Sequence, residues 1–465
     1  MSFIFTPPPG HRLSPARKAS FTSGDFACNL YWQSVSLYLL FFYTDVVGLS
    51  AATAGLIYMV ASIFDGAIDP VMGAVADRTR TKQGRYRPYV LWGGVPLGLA
   101  FVLLYYKPPL EGVALVAWIL VAHLIFRVAY TALSIPYTSL NARITDSSAE
   151  RSTLAGFRMI FATLAGLTIA STTQPLAAHL GGGDTAWGYT LTAAVYATIA
   201  TVIFPFVYLT TKEPPEDPGA AEPTMRMSQY WGAVRSNRAF WAVMAAICTA
   251  VICSTAVGKS VLYYFKYYLH DEAGGRIALS LNAASGLLII PAWIFASKFI
   301  SKRSAWFVCV LWGLVCLTAF AFMDVRSPPL MMAILLAMQI SSLGAAMTFW
   351  SMLPDTVEYG EWKTGMRAES FIFGLGQFFL KVALGLGAGI FGWSLDLVGF
   401  HPNVEQTPET LAGLKAIMVV LPMAGLALGG LAMLMYPLKK GVHEDIVEQL
   451  AARRRVPPEA VAEVP

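Results

Sequence analysis

The sequence predicts an all-α membrane protein, with twelve transmembrane helices in two pseudo-symmetric six-helix bundles. Three observations predict it. Apolar residues make up 56% of the 465-residue chain and charged residues only 13%, where a soluble domain carries about 25% charged residues. Apolar segments long enough to cross a bilayer, about 20 residues each, recur between short polar interruptions, and twelve of them fit the length. The two halves also repeat each other's landmarks. Pro70 in DPVMGAVADRTR and Pro291 in IPAWIFASKFISKR each fall late in the second span of their half, followed by basic residues. SLNARITDSSAERSTLAGFR, after the fourth span, has a counterpart in SMLPDTVEYGEWKTGMRAESF after the tenth.

Taken in order, residues 1–24 read as a polar tail without the apolar stretch of a cleavable signal peptide. The first span, from Asp25 to about Val47, is therefore expected to act as its own insertion signal. Spans at about 51–76, 88–106, 112–140, 153–180 and 186–211 complete a first bundle over residues 25–211. Residues 212–238, TKEPPEDPGAAEPTMRMSQYWGAVRSN, are rich in Pro and Glu and read as a linker. Spans at about 239–268, 278–300, 304–323, 329–353, 368–397 and 411–436 form a second bundle over 239–437. In the tail, 438–465, HEDIVEQLAARRR reads as a short solvated surface helix. Two parallel six-helix repeats are an architecture of secondary transporters, with the substrate held near the midplane between them.

Lys and Arg collect on one side of these spans. That side has the N-terminal tail, the 78–87 loop, Arg143, Arg151, the linker, Lys298, Lys302, Arg303, Lys363, Arg367 and the C-terminal tail. The other side has little beyond Lys107, Arg276 and Arg326. The positive-inside rule makes the basic side cytoplasmic. Both termini are then cytoplasmic, in an integral plasma membrane protein of the bacterial inner-membrane kind. The net charge of +5 is ordinary for such loops and argues for no nucleic-acid partner. The five cysteines, Cys28, Cys248, Cys253, Cys309 and Cys316, lie in apolar segments without C-x-x-C spacing and read as small core hydrophobes. No G-x-x-x-x-G-K-[ST] loop, H-E-x-x-H, G-x-S-x-G or His/Cys cluster is present. Neither enzyme chemistry, ATP-driven pumping nor a cofactor is expected. Nothing points to a fixed protein partner, so a monomer in lipid is expected.

The second span carries two acids, Asp65 and Asp69, four residues apart and so on one helix face. A carboxylate at mid-membrane costs roughly 2.5–3.5 kcal/mol on insertion scales. A proton, a hard cation with oxygen ligands or a basic side chain has to neutralise the pair; a purely structural ion pair is the plain alternative. On the fourth span His123, Arg127, Thr131 and Ser134 form one polar stripe. Thr131 and Ser134 offer oxygen ligands to a monovalent cation, such as Na+, held at Asp65 and Asp69. Arg127 either pairs with an intramembrane Asp or faces a substrate anion.

On the first span Asp25, Asn29, Tyr31, Trp32, Gln33 and Ser36 make a polar and aromatic face of the kind that binds a sugar. Asp25 is equally suited to an N-cap. Lys381, with Gln377 one turn before it, lies deep in an apolar span and needs an acid from the other half or a substrate oxygen. Lys259 is a second such lysine, and Trp350 on the tenth span is a candidate substrate-facing aromatic. Lys266, nearer a helix end, is expected to snorkel, and Tyr263, Tyr264, Tyr267 and Tyr268 read as an interface belt. Gly73, Asp77 and Arg78, followed by Gly84 and Arg85, form a loop signature. Asp77 at a helix C-terminus opposes the helix dipole. It is expected to bond an Arg or another helix's N-terminus, as a latch on one side of the membrane.

At these residues the chain resembles a known family. DFACNLYWQSVSLYLLFFYTDVVGLS, FDGAIDPVMGAVADRTRTKQGRYRP, SIPYTSL, ERSTLAGFR and DTVEYGEWKTGMRAESF…GQFFLK together resemble the glycoside–pentoside–hexuronide:cation symporters, the melibiose permease-like branch of the major facilitator superfamily. The Gly73-to-Arg85 loop resembles the superfamily's signature between its second and third helices. The resemblance, over nearly the whole chain, implies the major facilitator fold and cation-coupled uptake of a sugar or glycoside by alternating access. It implies that Asp65 and Asp69 are the paired cation-site acids and Asp25 the sugar-binding acid. It matches Lys381 to the lysine of the eleventh helix and Arg158 to the arginine of the fifth.

Where the family's pattern has an Asp and a Trp on the fourth helix, this chain has Ser134 and Thr138. That departure sets H+ beside Na+ as the coupling ion. It also sets an acidic sugar, a uronide or sulfosugar, beside a neutral glycoside as the substrate. Two other readings stand next to this one: a cation-coupled lysolipid transporter on the same scaffold, and a non-transporting membrane sensor that tolerates substitution at Asp65, Asp69 and Lys381.

Overall fold

The computed structural model describes residues 14–143, 148–211, 227–438 and 441–455. Every regular element among the described residues is helical. The first half holds α1 (Pro15–Phe41), α2 (Ala51–Arg78), α3 (Arg87–Leu104), α4 (Gly112–Arg143), α5 (Ser148–Leu180) and α6 (Thr185–Thr210). A short helix, α7 (Met227–Arg235), precedes the second half. That half holds α8 (Arg238–Tyr263), α9 (Glu272–Ala296), α10 (Lys302–Phe322), α11 (Pro328–Thr364), α12 (Glu369–Leu397) and α13 (Pro408–Leu434). A last helix, α14 (Val442–Arg455), follows.

Short polar side chains set the helix starts. Ser14, Ser50, Asp184, Asn237, Asp271, Ser301 and Thr407 each accept a hydrogen bond from a backbone N–H in the first turn of α1, α2, α6, α8, α9, α10 and α13. The first N–H groups of a helix have no partner of their own. The repeat is visible in the helices. α1 and α8, which lead their halves, both end in a five-residue π-helical turn, Phe42–Val46 and Tyr264–Tyr268. Pro70 lies inside α2 and Pro291 inside α9, the second helix of each half.

Among the described residues, eleven helices are long and apolar enough to cross a membrane. α1 is the twelfth long helix, more polar in composition and packed against α5 and α6. In the second half α8 is central, against α11, α12 and α13. The halves meet through α2 on α12 and α5 on α9, the second helix of one half against the fifth of the other.

Some expected boundaries move. The first helix starts at Pro15, so Asp25 lies inside it and Ser14 is the N-cap. α7 occupies the end of the expected linker; residues 212–226 lie outside the described residues, as do 144–147 of the loop after α4. α14 is a largely exposed surface helix, as expected, but it is anchored to the bundle. It buries Ile446 and Leu450, and its Gln449 accepts a hydrogen bond from Trp362 of α11 at 2.8 Å. Its periodic apolar residues meet the end of α11, which runs on past the apolar stretch to Thr364.

α2 and α12 approach through glycine. A Cβ on Gly392 would stand 2.2 Å from the Ala51 carbonyl oxygen, and one on Gly55 2.9 Å from that of Ala388. Small residues let membrane helices come this close. Gly392→Val therefore has to push the two backbones apart. It is expected to cut both folded yield and uptake at least tenfold, while Gly374→Ala, which faces open space in the same helix, is expected to leave both within twofold. Detergent-extracted yield and whole-cell uptake measure the pair.

Candidate functional site

Asp65 and Asp69 project from α2 towards α4 and α12, where three side chains meet them. Thr131 Oγ1 lies 2.8 Å from Asp65 Oδ1 and 3.1 Å from Asp69 Oδ1. Lys381 Nζ, from the second half, lies 2.9 Å from Asp65 Oδ2 and 2.5 Å from Asp69 Oδ2. Arg127 Nη1 lies 3.3 Å from Asp65 Oδ2. Two carboxylates thus face two cations, which answers the cost of burying them. Asp65 is wholly buried, whereas the Asp69 and Lys381 side chains are each 16% exposed.

Arg127 lies against an intramembrane Asp, as the first of its two expected roles requires. Besides Asp65, its Nη2 is 3.4 Å from Ser62 Oγ and its Nε donates to His123 Nε2 at 3.3 Å. The rings of Trp32 and Tyr58 flank it. It is 2% exposed. Ser134, expected as a cation ligand, is half-buried and makes no hydrogen bond to either carboxylate. Lys381 lies beside Asp69.

A second polar cluster lies on α1. Arg158 Nε donates to both carboxylate oxygens of Asp25, at 2.9 and 3.0 Å. Tyr137 of α4 donates to Asp25 Oδ2 at 2.8 Å. Gly24 is what admits the tyrosine, since a Cβ there would stand 2.6 Å from the Tyr137 ring. Asp25 is nearly buried, and the Arg158 side chain is 26% exposed. Trp32 stacks on Tyr130, ring centres 5.8 Å apart. The Asn29 amide is spent on the Asp25 carbonyl of its own helix. Thr138, Gln377 and Trp350 are exposed side chains. Lys259 is buried; its Nζ donates to the Ser36 carbonyl of α1 at 3.2 Å and sits 3.9 Å from the Tyr58 ring centre.

At the end of the bundle that carries the two π-helical turns, a network joins the halves. Asp45 Oδ1 accepts from Lys266 Nζ at 2.6 Å and from Tyr267. Asn403 donates to the Asp45 carbonyl at 2.6 Å, and its side-chain oxygen accepts from Lys266. Thr44 and Tyr263 share a hydrogen bond at 2.7 Å. Lys266 therefore does not snorkel, and Tyr263, Tyr264 and Tyr267, all buried, are not a lipid-facing belt. The sequence reading missed Asp45. Its signal was there: an acid and a base stand in the matching terminal turns of the two repeats.

At the opposite end the loop signature folds on itself. Tyr86 donates to Asp77 Oδ1 at 2.6 Å, Arg85 Nη1 stands 3.9 Å from the same oxygen, and Arg80 caps the Asp77 carbonyl at 2.7 Å. Burial pushes the Tyr86 hydroxyl above its usual range, and the bond to Asp77 adds to it. Arg78 is exposed and Gly73 faces open space. Asp355, Glu358 and His443 cluster at this end. Both oxygens of Asp355 are held by Lys302 at 2.7 Å, and His443 bonds Glu358.

Comparison with known proteins shows the family and the fold. Residues 20–440 match the family described as "MFS/sugar transport protein". The isoprimeverose transporter of Lactiplantibacillus pentosus is 32% identical, over 91% of this chain and 89% of its own. The Bacillus subtilis symporter YnaJ is 30% identical, over 96% of both chains. The Escherichia coli glucuronide carrier protein homolog is 27% identical, over 97% of this chain. Among solved structures, the nucleoside transporter NupG superposes with a TM-score of 0.64 at 14% identity, covering 91% of this chain and 100% of its own, a likeness of fold alone.

Proposed function

The chain belongs to the MFS/sugar transport protein family of membrane transporters, and from that membership we propose that it carries a sugar-type substrate together with H+ or Na+ by alternating access. The observation that carries the reading is Lys381. It reaches from the second half to bridge two acids of the first. The two carboxylates and two cations balance without any added ion. A coupling ion arriving at Asp69, whose side chain is partly exposed, has to displace the lysine. The carboxylates and the Thr131 hydroxyl then supply the oxygen ligands that a hard cation takes, or Asp69 takes the proton. Either event cuts a tie between the halves, which is how ion binding would be linked to their rocking.

The joined Asp45 end is the closed, outward side in this reading, and the loop end, with both chain termini, is cytoplasmic. The substrate lies between Asp25, Arg158 and Trp32 on one side and Gln377 and Lys381 on the other. Asp25 accepts from sugar hydroxyls, and the stacked Trp32 and Tyr130 offer a ring platform. This wall carries an acid, a guanidinium and an amide, which favours a sugar over a lysolipid.

The balance of charge favours a neutral glycoside. Arg127, Arg158 and Lys381 each already face an acid. A second reading, an acidic sugar, is favoured by one feature: once a cation holds Asp65 and Asp69, the freed Lys381 leaves the cavity one charge positive. Uptake of labelled glycosides, glucuronides and a sulfosugar into proteoliposomes, under a Na+ or an H+ gradient, decides between them. A neutral glycoside is expected to accumulate best. Asp69→Asn is expected to abolish gradient-driven accumulation while retaining exchange; normal accumulation by this variant would overturn the cation-site assignment.

A further inference from the structure

The second half contains a cavity of about 170 Å³, bounded by α8, α10, α11 and α13 and by Asn282 of α9. Its wall is mostly aliphatic, with Val251, Leu317, Leu335 and Met338 facing in. Its polar lining is Asn282, Gln339, Ser254, Ser341 and Ser342. The Asn282 side-chain oxygen is buried without a hydrogen-bond partner, and Gln339, across the same space, makes no side-chain hydrogen bond among the described residues. Leaving a buried polar atom without a partner is costly. Elsewhere in this bundle helices close to contact through glycine; here they leave room and a waiting acceptor.

One helix, α8, lines the cavity and also contacts α1, which carries Asp25 and Trp32. Gly258 lines it, and the next residue, Lys259, crosses to Ser36 of α1, one turn beyond Trp32. Ser254 on its rim is exposed. An aliphatic cavity of about 150 Å³ is large enough to hold a benzene ring. We propose that this space is an aglycone subsite, which takes a flat six-membered ring bearing one hydrogen-bond donor, such as a phenol hydroxyl, directed at Asn282. The proposal rests on the glycoside reading above and narrows it to glycosides with an aromatic aglycone.

The test uses the purified full-length protein and the methyl, phenyl and 4-hydroxyphenyl glycosides of whichever sugar the uptake panel selects, read as inhibition constants. The phenyl glycoside is expected to bind at least tenfold tighter than the methyl glycoside, and the 4-hydroxyphenyl form several-fold tighter again. Ser342→Leu, or the milder Ala346→Val, fills the cavity and is expected to erase the ring's advantage without changing methyl glycoside binding. Asn282→Leu is expected to erase only the advantage of the hydroxyl. A ring advantage that survives both filling variants overturns the subsite. If no glycoside binds, phenol alone separates the two readings. Thermal stabilisation of the native protein but not of Ala346→Val keeps the cavity site and overturns the glycoside reading. Equal or absent stabilisation, as in a cavity that holds water only, overturns the subsite itself.

Discussion

Lys381→Ala is expected to abolish concentrative uptake, by at least 100-fold, and to lower the stability of the protein. The lysine is the shared counter-ion of Asp65 and Asp69. Removing it leaves two carboxylates with Arg127 alone. Taking one partner from a buried ion pair typically costs about 3–5 kcal/mol, because the remaining charge stays buried and uncompensated. A second substitution sorts the electrostatic loss from the functional one. Asp69→Asn removes one negative charge, so Lys381→Ala with Asp69→Asn is expected to recover most of the melting temperature in detergent and none of the gradient-driven accumulation. If the single variant accumulates substrate normally, the bridge is incidental. If the double variant is no more stable than the single, charge balance at this site does not hold the halves together.

Lys266→Ala is expected to open the Asp45 end. Asp45 loses a charged donor there, and hydrogen bonds to charged groups contribute about 1.5–3 kcal/mol each. That is a shift of about tenfold to a hundredfold in the balance between closed and open states. Spin labels at His179 in the first half and Val404 in the second, both exposed, report the distance across this end. The variant is expected to show a new, longer population. Exchanging the charges, Asp45→Lys with Lys266→Asp, is expected to return part of it to the closed distance. An unchanged distance in Lys266→Ala would mean that Tyr263 and the packed rings around it, rather than the ion pair, keep this end shut.

Much of the candidate site could be read without coordinates. Asp65 and Asp69 stand out because carboxylates are costly in an apolar span, and their spacing alone puts them on one face. Thr131 and Arg127 follow from the same helical period on α4. What the pattern left open was the partner of each. Arg127 had two roles available, and the choice turned on whether Asp65 lies within reach. Ser134 has the right chemistry and the right stripe, yet the space beside Asp69 is taken by a lysine from the other half. Lys266 and Asp45 are 221 positions apart, so no local periodicity links them. Only the repeat of the two lead helices brings their terminal turns together.

The sequence by itself determined that the chain spans a membrane, that it does so as two similar sets of helices, and which polar groups are too costly inside lipid to be there without a purpose. These properties depend on burial and on spacing along one helix, and both are written in linear order. The tertiary structure decided which charges neutralise one another, where the halves touch, and that the Asn282 side-chain oxygen, beside a mostly aliphatic cavity, has no hydrogen-bond partner among the described residues. Those outcomes depend on distances between helices far apart in the chain, set by how closely glycine-lined faces such as those of α2 and α12 allow two backbones to approach.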